Sequence, residues 1–232
     1  MNHDQEVRLQ QNLSKLRQQI ELLATKNSTK PQLLAVSKKQ SIESMRVIYD
    51  AGICVFAESF VQEAIDKIPA LPEDITWHYI GRLQSNKLKK IAQYFDWVHT
   101  LSSIEHAQKL QRHCAELDKT MQVLIQINVD LEPQKSGIML DDCDAIEHLV
   151  DYIVKYCPNL KLCGFMCMLE DTGEYDKELV SFGKLAQCKD NINQKFKLNL
   201  QELSMGMSGD MPAAIAAGST MLRIGSTIFG AR

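Results

Sequence analysis

The chain has seven cysteines but no Cys-x-x-Cys pair, and its six histidines show no His-Glu-x-x-His spacing. An odd number of scattered thiols argues against a disulfide framework, and the missing ligand spacings argue against a structural or catalytic metal. No apolar stretch approaches the ~20 residues of a membrane span, and Met1-Asn2-His3-Asp4-Gln5-Glu6 has neither the basic start nor the apolar core of a secretory signal. The expected location is the cytosol. Neither charge sign dominates: a net charge of -3 gives no overall attraction for nucleic acid or anionic membrane. There is no linker, low-complexity tract or internal repeat to divide the chain, so residues 1–232 are expected to form one domain.

What is present is a regular alternation. Leu9, Leu13, Leu16, Ile20 and Leu23 recur in steps of four and three and predict a helix over about 5–25, packed outside the main fold. Short apolar runs then predict strands at 33–37, 54–57, 77–80, 97–100, 123–129, 162–168, 202–205 and 221–224. Helical segments lie between them at 42–50, 61–68, 86–94, 104–117, 142–156, 174–193 and 211–217. Eight strands alternating with helices predict parallel pairing with right-handed crossovers, closing into a (β/α)8 TIM barrel with an extra N-terminal helix. An open doubly wound sheet is the competitor if 97–100 or 202–205 were loop. Cys163 and Cys167, with the same strand parity, are expected to be small buried apolar residues.

In a barrel the C-terminal strand ends share one rim, and that rim carries the chemistry. Lys38 ends the first strand, Glu58 and Ser59 the second, Asn128 and Asp130 the fifth, 204–210 the seventh and 223–227 the eighth. A lysine held at a strand end and partly desolvated can act as a nucleophilic amine toward a carbonyl. A solvated strand exit is the plainer reading of Lys38 and Lys39 taken alone.

The last two loops suit a phosphate. Gly206, Gly209 and Gly225 let the backbone approach an anion, Ser204, Ser208, Ser226 and Thr227 offer hydroxyls, and Asp210 is expected to cap the helix that begins at Met211. An amine facing a phosphate cradle suggests either a sugar phosphate held as a Schiff base or pyridoxal 5'-phosphate (PLP). Arg223, two residues before Gly225, favours PLP, because a permanent cation can bond a neutral pyridine nitrogen. A buried arginine paired to a local carboxylate is the alternative.

Leu34-Ala35-Val36-Ser37-Lys38, Phe56-Ala57-Glu58-Ser59-Phe60-Val61-Gln62-Glu63, the segment from Trp77 to Lys87, Lys135-Ser136-Gly137, Leu203-Ser204-Met205-Gly206-Met207-Ser208 and the segment from Arg223 to Arg232 together resemble the pyridoxal-phosphate homeostasis protein family. The resemblance implies a barrel similar to the N-terminal domain of alanine racemase. It also implies PLP bound as a Schiff base on Lys38, the pyridine nitrogen at Arg223 and the phosphate at Ser204, Gly206, Ser208, Gly225, Ser226 and Thr227, with Ser59 and His78 near the ring. Ala57 and Ser59 depart from the Phe-Gly-Glu-Asn usual in the second block, and Ser226 stands where threonine is common.

Family members are regarded as carriers that balance vitamin B6 and amino-acid pools, and the chemistry agrees. An arginine at the pyridine nitrogen leaves the ring a poor electron sink, and racemisation needs a base on each face. Alanine racemases add a second domain whose tyrosine supplies one, whereas this sequence ends at Arg232. The expectation is a non-catalytic, monomeric PLP carrier, with PLP-dependent apo-enzymes as recipients. A weak racemase or lyase of the same fold is the alternative, and a cofactor-free sugar-phosphate enzyme is the third reading. Lys135, or one of Lys87, Lys89 and Lys90, is expected to receive the aldehyde during hand-over.

Overall fold

A computed structural model describes residues 1–27, 30–170 and 172–230; Ala231 and Arg232 of the closing motif lie outside the described residues. Eight parallel strands close a barrel: β1 (Gln32–Val36), β2 (Val55–Glu58), β3 (Thr76–Tyr79), β4 (Trp97–Leu101), β5 (Met121–Asn128), β7 (Leu160–Met166), β8 (Glu202–Ser204) and β9 (Met221–Ile224). Neighbours run β4-β3-β2-β1-β9-β8-β7-β5, and a β4–β5 pairing shuts the ring. Both segments on which the open-sheet alternative depended are strands. The two-residue strand β6 (Ile138–Met139) adds to β5 outside the ring.

Helices alternate with the strands because each crossover must return the chain to the same end of the sheet. They are α2 (Ile42–Asp50), α3 (Val61–Lys67), α4 (Leu88–Tyr94), α5 (Ile104–Glu116), α6 (Cys143–Tyr156), α7 (Tyr175–Phe196) and α8 (Met211–Ala216). After β9 only the single turn α9 (Ser226–Phe229) follows. The N-terminal helix α1 (His3–Asn27) packs against α2, α8 and α9 and so completes the ring of helices where a helix after the last strand would lie. The expected position outside the fold is thus corrected. Leu9, Leu13, Leu16 and Ile20 are buried on that side, and Asn12 Nδ2 donates to the Ile228 carbonyl at 3.1 Å.

Strand alternation sorts the core into two layers. Ala35, Phe56, Val98, Ile125, Phe165 and Leu203 pack outward against the helices, while Leu34, Val36, Ala57, Trp97, Leu124, Met166 and Met221 fill the barrel interior. A register shift between β5 and β7 breaks the parity expected for the two cysteines. Both are buried, but Cys163 packs with the interior residues and Cys167 with the outer layer.

The same parity corrects another expectation. Glu58 points outward, away from the barrel mouth, and is fully buried against α3. Its Oε1 accepts from Lys67 Nζ at 2.8 Å and from Ser37 Oγ at 2.8 Å, and Lys67 Nζ also donates to the Ser37 carbonyl at 2.7 Å.

Candidate cofactor site

The residues expected to carry chemistry come off three successive strands. β1 pairs with β9, with Leu34 opposite Arg223 and Ala35 opposite Ile224, and β9 pairs with β8. Lys38, which shares the inward parity of Leu34 and Val36, therefore leaves the barrel beside the 225–227 turn. The sequence suggested an amine across the rim from the anion turns; the register makes the segment that carries it a neighbour of the turn after β9. Gly225 supports the close approach, since a Cβ there would lie 3.2 Å from the Val36 carbonyl oxygen. Lys38 is half-buried, and Ser59, just past the end of β2 at the inward parity of Ala57, is half-buried as well.

The two turns expected to hold an anion converge. Ser208 Oγ, after β8, lies 3.1 Å from Ser226 Oγ, after β9, and both residues and Thr227 are exposed at the mouth. Gly206 sets the course of the first turn: its φ is +99°, and a Cβ would lie 2.6 Å from the Ala214 Cβ and 2.8 Å from Leu222 Cδ2, so both the conformation and the space require glycine. In α9 the Ile228 and Phe229 amides donate to the Gly225 carbonyl, which leaves the two amides before them without an intrahelical acceptor.

Asp210 behaves differently from the expected cap. It precedes α8, but its Oδ1 accepts from the Met207 N–H at 2.5 Å and its side chain makes no bond to the first turn of the helix. It holds the loop to itself.

Beneath the mouth lies a buried polar file. Arg223, 3% exposed, donates from Nη1 to Ser204 Oγ at 2.7 Å and from Nη2 to the Cys167 carbonyl at 2.8 Å. His99 Nδ1 lies 2.9 Å from Ser204 Oγ, and His99 Nε2 lies 2.8 Å from His78 Nδ1. The His78 ring stacks on Trp97 with centroids 5.1 Å apart. Burial pushes His78 down to about 3. Burial also holds His99 well below its usual range, and the charge of Arg223, with that of His78 whenever it is protonated, adds to the effect.

No carboxylate forms an ion pair with Arg223 among the described residues, so the alternative of an Arg–carboxylate pair is not what the structure has. The two hydrogen bonds of the guanidinium go to neutral acceptors, and the buried Asp210 carboxylate acts on it only through its field, without an ion-pair contact among the described residues. Taking such a charge out of water costs several kcal/mol even after relaxation, roughly, which an acceptor arriving from the mouth would offset. The sequence reading missed His99 and Trp97. Alternation within 97–101 places both on the inward face, so parity was the usable signal.

Other expected residues sit elsewhere. Asn128 is buried and closes its own turn, donating from Nδ2 to the Glu132 carbonyl at 2.7 Å, and Asp130 accepts from Ser181 Oγ at 2.9 Å. Ser204 is fully buried in the interior file, below the exposed serines of the turns. Lys135 is half-buried beside Asp130 and Glu132. A roomy groove of about 650 Å³, lined by Arg17, Ile20, Lys30 and Leu33, lies by the start of β1, at the opposite end of the barrel from the rim that carries Lys38.

A family described as the N-terminal domain of alanine racemase matches residues 11–232. The pyridoxal phosphate homeostasis protein of Vibrio alginolyticus is 41% identical over 232 residues, covering 97% of each chain. The chain belongs to the pyridoxal phosphate homeostasis protein family. The homonymous protein of Synechocystis sp. is 43% identical over 203 residues, 86% of this chain and 91% of that one. The structure of PipY of Synechococcus elongatus, solved with PLP bound, superposes with a TM-score of 0.84 at 32% identity over 96% of this chain and 100% of PipY. An alanine racemase of Clostridium difficile shares the fold, with a TM-score of 0.76 at 13% identity over 97% of this chain and 57% of the racemase.

Proposed function

We propose that this chain binds PLP covalently through Lys38 and serves as an intracellular carrier and regulator of the cofactor, without catalytic turnover. The observation that carries the reading is the convergence of Ser208 and Ser226 at 3.1 Å beside β1, two residues past which lies Lys38. Family membership and the PLP-bound PipY structure support it. When bound, PLP supplies an aldehyde that a lysine amine can hold.

The residues present fit that ligand. Lys38 provides the amine. Ser208, Ser226, Thr227 and the backbone at Gly206 and Gly225 would hold the phosphate dianion, and Arg223, which forms no ion pair among the described residues, would meet the pyridine nitrogen. Ser59 and His78 would flank the ring. Ser204 contributes from below, by orienting Arg223.

A permanently charged guanidinium at the ring nitrogen cannot give up a proton to it, which keeps the ring a weak electron sink. That favours storage over carbanion chemistry. A monomer located in the cytosol, which gives the cofactor to PLP-dependent apo-enzymes, completes the reading. Lys135 is the proposed relay amine for departure, since it is on the same rim, and to act it must leave its place beside Asp130 and Glu132; a Lys135→Ala chain that releases PLP to an apo-enzyme at the parent rate would remove it from that role.

The purified protein mixed with PLP should gain an absorption band near the visible edge that Lys38→Ala lacks. An unchanged band in Lys38→Ala ends the proposal. Turnover of any amino acid that depends on Lys38 would favour instead a weak racemase or lyase.

A further inference from the structure

Arg223, Ser204, His99 and His78 stand in single file across the barrel interior, joined by contacts of 2.7, 2.9 and 2.8 Å. Proton positions in the file follow from counting donors. Arginine brings only N–H groups, so Ser204 Oγ accepts from Nη1. The Ser204 hydroxyl is fully buried and meets no other described group besides His99, so its own proton must go to His99 Nδ1, which is then bare.

A neutral imidazole has one N–H. For His99 it is therefore on Nε2 and donates to His78 Nδ1, and the His78 proton is left on Nε2. The reverse order would place a proton on both Nδ1 atoms and orphan the buried hydroxyl. That costs ~1–3 kcal/mol, a factor of roughly 5 to 150 against it. A protonated His99 would orphan the same hydroxyl and set a second cation close to a guanidinium that forms no ion pair among the described residues.

We infer that His78 and His99 are both held as neutral Nε2–H tautomers in a one-way chain of donors that starts at Arg223 and ends at the His78 Nε2–H, and that this chain positions Arg223. Ser204 is the joint. By accepting from Arg223 it becomes a better donor to His99, so each bond in the file strengthens the next. The file fixes the plane of the guanidinium without neutralising it, because every member except Arg223 is uncharged. Three of the five guanidinium N–H groups take no part in the two bonds to Ser204 and Cys167. Nothing in the file competes as an anion for an acceptor in the mouth. The bearing on PLP rests on the reading given above, whereas the chain itself does not.

Long-range proton–nitrogen NMR spectra of the imidazoles separate the two neutral tautomers, and they can be recorded on the parent protein without ligand. Both histidines should show a bare Nδ1 and a protonated Nε2. A protonated Nδ1 on either one overturns the inference. In Ser204→Ala, His99 should lose its pure Nε2–H form, and binding of PLP should weaken about tenfold through the loosened Arg223; a His99 signal identical to the parent's in that variant also overturns it. If the parent protein binds no PLP, the functional reading fails, and the ligand-free spectra still decide the chain of donors on their own.

Discussion

Ser208 and Ser226, 18 positions apart in sequence, touch hydroxyl to hydroxyl at 3.1 Å and join the turns that follow β8 and β9. Two exposed donors at that separation can both reach one anion. Each hydroxyl is worth ~1 kcal/mol as a hydrogen bond, or about fivefold in affinity. Ser208→Ala and Ser226→Ala should each weaken PLP binding by that factor and leave pyridoxal, which lacks the phosphate, unaffected. Absorbance titrations with the two ligands make the comparison, and an equal loss for both would place the serines away from the phosphate.

Lys67 and Glu58 form an ion pair under α3 with side chains 8% and 0% exposed. The pair is structural, and breaking it from one side leaves a carboxylate without its cation in a buried place. Lys67→Met should destabilise the fold by about 3–5 kcal/mol, and adding Glu58→Gln should recover much of the loss, because the orphaned charge is then gone. Urea unfolding of the two variants and the parent tests this; a Lys67→Met chain as stable as the parent would refute it.

Acid should weaken the fold through the histidine pair. Folded His78 is pushed down to about 3 from 6.5, and His99 is lowered also, so between those values the unfolded chain binds protons that the folded chain refuses. Their contribution to stability is therefore full above pH 6.5 and is lost as pH falls toward 3. Each histidine adds a slope of ~1.4 kcal/mol per pH unit. His99→Asn should remove one histidine's share of that slope. Unfolding free energies measured from pH 7.5 to 4.5, roughly the span over which the His proton is contested, would show parallel curves if the histidines are not the cause.

Much of the barrel was legible along the chain. All eight strand positions follow from apolar runs, and the 42–50 helix agrees with α2 end for end, because Ser41 accepts from the Ser44 N–H at one end and Gly52 has a positive φ just past the other. The two-residue β6 and the four-residue α9 were not legible, being too short for any period to show. Glu58 misled for a different reason. Its place at a strand end suggested the rim, but one step of alternation turns it to the helices, where Lys67 from α3 claims it.

At the site, residue types and their order single out Lys38, Arg223 and the serine and glycine turns as candidates, since strand ends, glycine positions and side-chain functions are local properties. Whether those groups meet was settled by closure of the ring. Pairing of β1 with β9 joins residue 34 to residue 223 and brings the segment that carries Lys38 next to the turn after β9. Burial of His78, His99 and Ser204 around Arg223 likewise depends on four strands, β3, β4, β8 and β9, facing one interior. Hydrogen bonds between residues over a hundred positions apart need that enclosure, because direction and distance across a barrel are set by packing and not by neighbours in the chain.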